Sequence, residues 1–109
     1  VIVVPAARVT GIVDECIAKK VKSLVVISAG FGESGGEGRA LEAALVERIR
    51  DAGIRMIGPN CMGIINTDPA FKLNATFSSV YPPAGRVAVD CRRSRWTGQA
   101  PAGLPRSTG

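Results

Sequence analysis

Ile57-Gly58-Pro59-Asn60-Cys61-Met62-Gly63-Ile64-Ile65-Asn66-Thr67 is the stretch on which the reading of this chain turns. It continues the apolar run Ile54-Arg55-Met56-Ile57, which reads as a strand. Gly58 and Gly63 give access to backbone angles that other residues avoid, and Pro59 cannot donate to a sheet. The chain is therefore expected to leave the sheet sharply and to display Asn60 and Cys61 at the carboxyl end of a strand. In an open α/β sheet that is the edge where ligands sit. Any helix starting after Cys61 would offer free N–H groups to an anion there.

Working outward, two more strands end in small-residue turns. Residues 23–28 read as a strand that runs into the glycine-rich turn Ser28-Ala29-Gly30-Phe31-Gly32-Glu33-Ser34-Gly35-Gly36. Residues 1–4 form a continuous apolar, β-branched run, the pattern of a strand covered on both faces, and Pro5-Ala6-Ala7 ends it. Between these strands Val9, Ile12, Val13, Cys16 and Ile17 fall on one helical stripe, with Lys19, Lys20 and Lys22 at its C-terminal end. Leu41, Leu45 and Ile49 mark a second stripe, broadened by Ala44, Val46 and Ala52, with Gly53 as its C-cap. Strand, helix, strand, helix, strand with short turns predicts right-handed crossovers and a parallel sheet. The fold class is α/β, a partial Rossmann-like sheet of three strands with three turns along one binding edge.

Beyond Thr67 the pattern loosens. Asp68-Pro69 reads as a turn, residues 71–77 mix apolar and polar side chains, and residues 81–85 read as a linker. Arg86-Val87-Ala88-Val89 reads as the opening of another strand. From Asp90 the chain has no period and is rich in Gly, Pro and Arg, the composition of a disordered tail. The expected division is 1–81 as part of one domain, 82–89 as a linker and the first strand of a second, and 90–109 as the tail. A chain that opens on a strand reads as a piece of something longer, and residues 1–10 do not have the pattern of a signal peptide.

Charge and cysteine content exclude several functions. Arg92, Arg93, Arg95 and Arg106 supply +4 of the +5 net charge, so the basic balance belongs to the tail and not to the body. Those arginines flank Trp96, but no nucleic-acid-binding motif surrounds them, and no nucleic-acid partner is expected. Cys16, Cys61 and Cys91 show no CxxC pairing, which argues against a disulfide framework or a metal site and for a reducing, cytoplasmic setting. Cys16 lies within an apolar stripe and reads as a small buried residue. The chain has no histidine, so Cys61 has no imidazole to activate it and is not read as a nucleophile. No apolar run approaches the roughly 20 residues of a membrane span.

The stretches VIVVPAARV, VVISAGFGESG and IGPNCMGIINTDP, followed by LNATF, resemble the CoA-binding domain of NDP-forming acyl-CoA synthetases, relatives of the succinyl-CoA synthetase alpha subunit. The resemblance runs from Val1 to about Val89. It implies a Rossmann-like domain with coenzyme A lying across the carboxyl ends of its strands. It further implies that Val4, Pro5 and Ala6 pack near the nucleotide, that the backbone of Ile27, Ser28 and Ala29 contacts CoA, and that Asn60 and Cys61 lie near its thiol arm. Glu33 reads first as a solvated carboxylate, with a contact to a partner domain as the alternative. No catalytic or metal-binding residue is implied. The family's partners would be a second alpha-type domain and an ATP-grasp domain or subunit, which handle the nucleoside di- or triphosphate.

Two departures bound the transfer. The family's first βαβ unit, with its own glycine-rich CoA loop, does not precede Val1. After Arg86-Val87-Ala88 the family continues with a phosphate-contacting stretch like LSQSGALG and, later, a phosphorylated histidine, whereas here Asp90 onward reads like the product of a frame shift. The leading reading is a segment of an NDP-forming acyl-CoA synthetase carrying part of the CoA site and no catalytic group. Its alternatives are a free-standing CoA- or nucleotide-binding regulatory module and the CoA-binding part of a fused protein lysine acetyltransferase. A thiol-reactive or nucleic-acid-binding protein is the remaining class.

Overall fold

The first crossover helix, α1 (Ala6–Ala18), starts directly after Pro5, and its Val9 and Val13 are fully buried. Residues 1–89 are described by the computed structural model. The expected tail at 90–109 and the frame shift inferred there lie outside the described residues. After α1 come β1 (Ser23–Val25), a 3-10 turn (Gly32–Ser34), α2 (Gly36–Asp51), β2 (Arg55–Ile57), β3 (Gly63–Asn66) and β4 (Leu73–Thr76). The strands β1 and β2 are parallel, with Leu24 opposite Met56, and Ile2 adds an isolated parallel bridge to Val26. The N-terminal apolar run is thus one bridge wide rather than a full strand.

Both crossovers step the same way across the sheet, so α1 and α2 share one face. An exposed ion pair between Arg48 and Asp14 joins them, a contact worth at most about 1 kcal/mol. The core lies between this face and the helices. Ile2, Leu24, Val26, Ile54 and Met56 meet Val9, Val13, Leu45, Val46 and Ile49 there. Ile12, Cys16, Ile17 and Leu41 pack at its margin, as their stripes predict. Ala44 and Ala52 do not contribute and are exposed, because the burial of α2 is narrower than the sequence stripe. On the other face Val1 and Val3 are 66% and 58% exposed, so only one side of the N-terminal run is covered.

Each helix ends in a left-handed residue followed by a paired return. At α2 it is Gly53 (φ 69°), whose N–H donates to Arg50 at 2.9 Å while Ile54 donates to Ile49 at 3.1 Å. This is the Schellman arrangement, with Ala52 as C-cap and Gly53 one residue beyond it. At α1 the same two bonds form around Lys20 (φ 55°), a residue with a Cβ.

In the second half a feature raised only conditionally does not form, and the expectation of a strand at 86–89 is corrected. No helix follows Cys61 among the described residues. Gly63 has φ 99°, and its backbone lies so close to Ala75 that a Cβ would come within 1.9 Å of that carbonyl oxygen, which commits the chain to an extended hairpin. There β3 and β4 run antiparallel with Ile64 opposite Ala75. Residues 86–89 form no strand, since no partner strand lies beside them among the described residues.

Candidate functional site

Three turns meet at the carboxyl ends of the parallel segments, and Ser28 ties them together. Its buried hydroxyl accepts the N–H of Val4 at 3.0 Å, and its carbonyl accepts the N–H of Asn60 at 3.0 Å. One residue at the end of the central strand therefore fixes both the first turn and the third. The third turn is itself tightly held. Gly58 (φ 103°) rests on Val26, where a Cβ would sit 2.1 Å from the carbonyl oxygen. The Gly58–Pro59 peptide is cis, and Asn60 is left-handed at φ 56°. Asn tolerates that conformation better than most residues with a Cβ.

Cys61 donates its thiol hydrogen to the Val26 carbonyl at 3.4 Å. The thiol is half-buried there, in the turn between β2 and β3.

The middle turn is pinned at Gly30 and Gly32. Phe31 is fully buried and plugs the turn into the core, while Gly38 at the start of α2 presses against its carbonyl. On either side of that plug, Gly30 donates its N–H to the Glu33 carboxylate, and Gly32 donates to Glu42 on α2 at 2.9 Å. The Gly30 N–H is the main reason the Glu33 carboxyl is held below the usual range, with its own and the Phe31 backbone helping and a small desolvation effect opposing. Glu33 is thus exposed but not idle, a step beyond a merely solvated carboxylate. Gly30 (φ 101°) also lies against Ala6, 3.0 Å from where its Cβ would be.

Together the turns wall one side of an open cleft of about 1060 Å³. Of the residues singled out in the sequence, Val4, Pro5, Ile27, Ser28, Ala29, Asn60 and Cys61 line it. Ala6 does not, because it packs instead at the margin of the core and against Gly30. The opposite wall was not anticipated. It comes from the hairpin, through Met62, Ile64, Ile65, Thr76 and Phe77. The signal was present in LNATF and in an apolar Ile64-Ile65 pair, but only a hairpin brings those residues over the sheet. Tyr81 helps to fold the chain back, donating its hydroxyl to the Asn66 carbonyl at 3.0 Å.

No charged side chain lines the cleft among the described residues. What the walls offer is apolar surface, the Asn60 amide, the Ser28 and Thr76 hydroxyls, the Cys61 thiol and strand-end backbone, a lining suited to a neutral, amphiphilic chain. A highly charged group would need partners elsewhere. Among the described residues no group of three potential metal ligands occurs, and no helix is long and apolar enough to cross a membrane.

The family model described as "CoA binding domain" matches residues 1–67. The chain is 53% identical over 88 residues to acetate–CoA ligase [ADP-forming] I of Archaeoglobus fulgidus, a match that covers 81% of this chain and 13% of that protein. It is likewise 53% identical over 89 residues to the alpha subunit of acetate–CoA ligase [ADP-forming] I of Pyrococcus furiosus, covering 82% of this chain and 19% of the subunit. A solved structure from Pyrococcus horikoshii, the protein PH0766, superimposes with a TM-score of 0.67 at 51% identity, over 72% of this chain and 18% of its own. The chain thus spans less than a fifth of the length of these relatives.

Proposed function

The chain belongs to the CoA binding domain family, and on that footing we propose that it supplies part of the coenzyme A site of an NDP-forming acyl-CoA synthetase. The observation that carries this reading is the convergence of three turns, through Ser28, on an uncharged cleft at the carboxyl ends of the strands. That is the edge where parallel sheets receive ligands. Val4, Pro5, Ile27, Ser28, Ala29, Asn60 and Cys61 are the proposed ligand-facing residues, and Ala6 supports them from behind.

The lining suits the pantetheine arm of CoA, whose amides and short alkyl segments match apolar walls with a few polar atoms. The phosphates would lie outside the cleft. The first turn of α1 carries no side-chain cap and no carboxylate, and its free N–H groups favour an anion nearby.

In the complete enzyme the proposed reaction converts acyl-CoA, phosphate and a nucleoside diphosphate to the acid, CoA and the triphosphate. A second alpha-type domain and an ATP-grasp domain or subunit would carry the phosphoryl and nucleotide steps. This chain has no histidine to phosphorylate, so its proposed share is to hold CoA. The proposed division remains 1–81 for the CoA-binding part, 82–89 for a linker and the tail beyond. Cys16 and Cys61 are both free thiols, which fits a cytoplasmic enzyme.

Calorimetric titration of the chain with CoA tests the reading. Saturable binding that pantetheine displaces and ADP does not supports it. A folded chain that ignores CoA would refute it.

A further inference from the structure

The Ile27–Ala29 backbone that walls the cleft runs straight into a segment with four glycines in residues 30–36, and such a segment has no stiffness of its own. Something must hold it. Phe31 anchors the middle of the turn in the core, and its carbonyl accepts the Ser34 N–H at 2.8 Å, but neither contact satisfies the N–H groups of the peptides on either side. Those peptides are the ones whose amides are taken, Gly30 by Glu33 and Gly32 by Glu42.

The two carboxylates reach the turn from different places. Glu33 lies within the turn, in the 3-10 segment, while Glu42 stands on α2, which the core fixes through Leu45 and Ile49. Glu42 thus refers the turn to the rigid body of the domain. A glycine-rich turn with free amides at a sheet edge attracts anions. Here both amides are already spent on carboxylates, which would repel a phosphate placed against them.

Resting on the CoA reading above, we propose that Glu33 and Glu42 are positioning residues of that site. By taking the Gly30 and Gly32 amides they fix the Ile27–Ala29 strand end against the ligand and deny the turn to phosphate. Neither residue contacts the cleft itself. Both act through the backbone they hold.

The test uses the chain with E42Q, E42A and the double substitution E33A/E42A. Each is titrated with CoA and, separately, with inorganic phosphate, while the Gly30 and Gly32 amide resonances are followed and thermal midpoints recorded. The expected result for E42A is CoA binding weakened about tenfold, the equivalent of one lost charge-assisted hydrogen bond. E42Q keeps an acceptor oxygen and should lose only about two- to threefold. Phosphate should shift the two glycine amides in E33A/E42A and not in the unsubstituted chain, an effect that a purely structural role would not produce.

If the unsubstituted chain binds CoA and E42A binds equally well, the positioning role is refuted and the CoA reading stands. Weakening in E42A that merely tracks a lost folded fraction also refutes it, and amides silent to phosphate in the double variant refute the exclusion of anions. If the unsubstituted folded chain ignores CoA, both readings fall.

Discussion

Asn60 and Ser28 are joined backbone to backbone, the N–H of Asn60 donating to the Ser28 carbonyl at 3.0 Å. The same serine takes the Val4 N–H on its hydroxyl. The end of the central strand therefore sets the positions of the turns to its left and right. A ligand lying across this edge meets three turns whose spacing is fixed by one residue, and the cleft is pre-formed to that extent.

Replacement of Ser28 by alanine keeps the backbone bond to Asn60 and removes the acceptor for Val4. The orphaned N–H is partly buried, so the expected destabilisation is about 1–2 kcal/mol. Chemical denaturation should show it as a lower midpoint with an unchanged slope. An unchanged midpoint would mean that water takes over the bond and that Ser28 does not tie the first turn.

Two glycines with positive φ should respond very differently to a methyl group. At Gly58 an added Cβ meets the Val26 carbonyl oxygen at 2.1 Å, and at Gly53 it meets nothing within 4 Å. G53A should therefore cost about 1 kcal/mol, the left-handed penalty alone. G58A adds steric overlap with a backbone that cannot yield, and its cost should reach about 3 kcal/mol or more. Equal denaturation midpoints for the two variants would contradict this account of the third turn.

The helices and strand ends were legible because their causes are local. Val9 and Val13, or Leu45 and Ile49, recur at helical spacing, and Pro5 and Gly58-Pro59 end a strand wherever they fall. The hairpin was not legible. In β3 and β4 the burial runs along each strand instead of alternating, so the period-2 signal is missing. The connection hides it further. Asn66 and Asp68 each accept an N–H two residues on, side-chain turns that read simply as loop. In the site, the three turns could be placed on one edge, but the bonds of Ser28 link distant residues and leave no trace in spacing. Phe31 and Glu42 were missed for the same reason. An aromatic ring among glycines looks like loop, and a helical glutamate looks like surface.

Lys20 occupies the left-handed position that Gly53 fills at the end of the other helix. Its side chain is exposed, so glycine there would relieve backbone strain and remove little else. K20G should raise stability by about 0.5–1 kcal/mol, the relief being partly offset by the greater freedom of glycine in the unfolded chain. A thermal midpoint higher by a few degrees is the expected reading. A lower midpoint would show that the lysine makes a compensating contribution at the end of α1.

Acid should loosen the middle turn before it unfolds the domain. Glu33 has its carboxyl pushed below the ordinary glutamate value, chiefly by the Gly30 N–H. A group whose folded pKa is depressed stabilises the folded form above its unfolded pKa and loses that contribution as pH falls through the lowered folded value. The hold on Gly30 should thus be complete at neutral pH and should vanish only in acid below the usual glutamate range. Because Glu33 is exposed, the change should be local, moving the Gly30 amide resonance and leaving core resonances such as those of Ile49 in place. In E33Q the Gly30 resonance should no longer titrate in that range. A Gly30 transition at or above the ordinary glutamate value would show that the carboxylate does not hold this amide in solution.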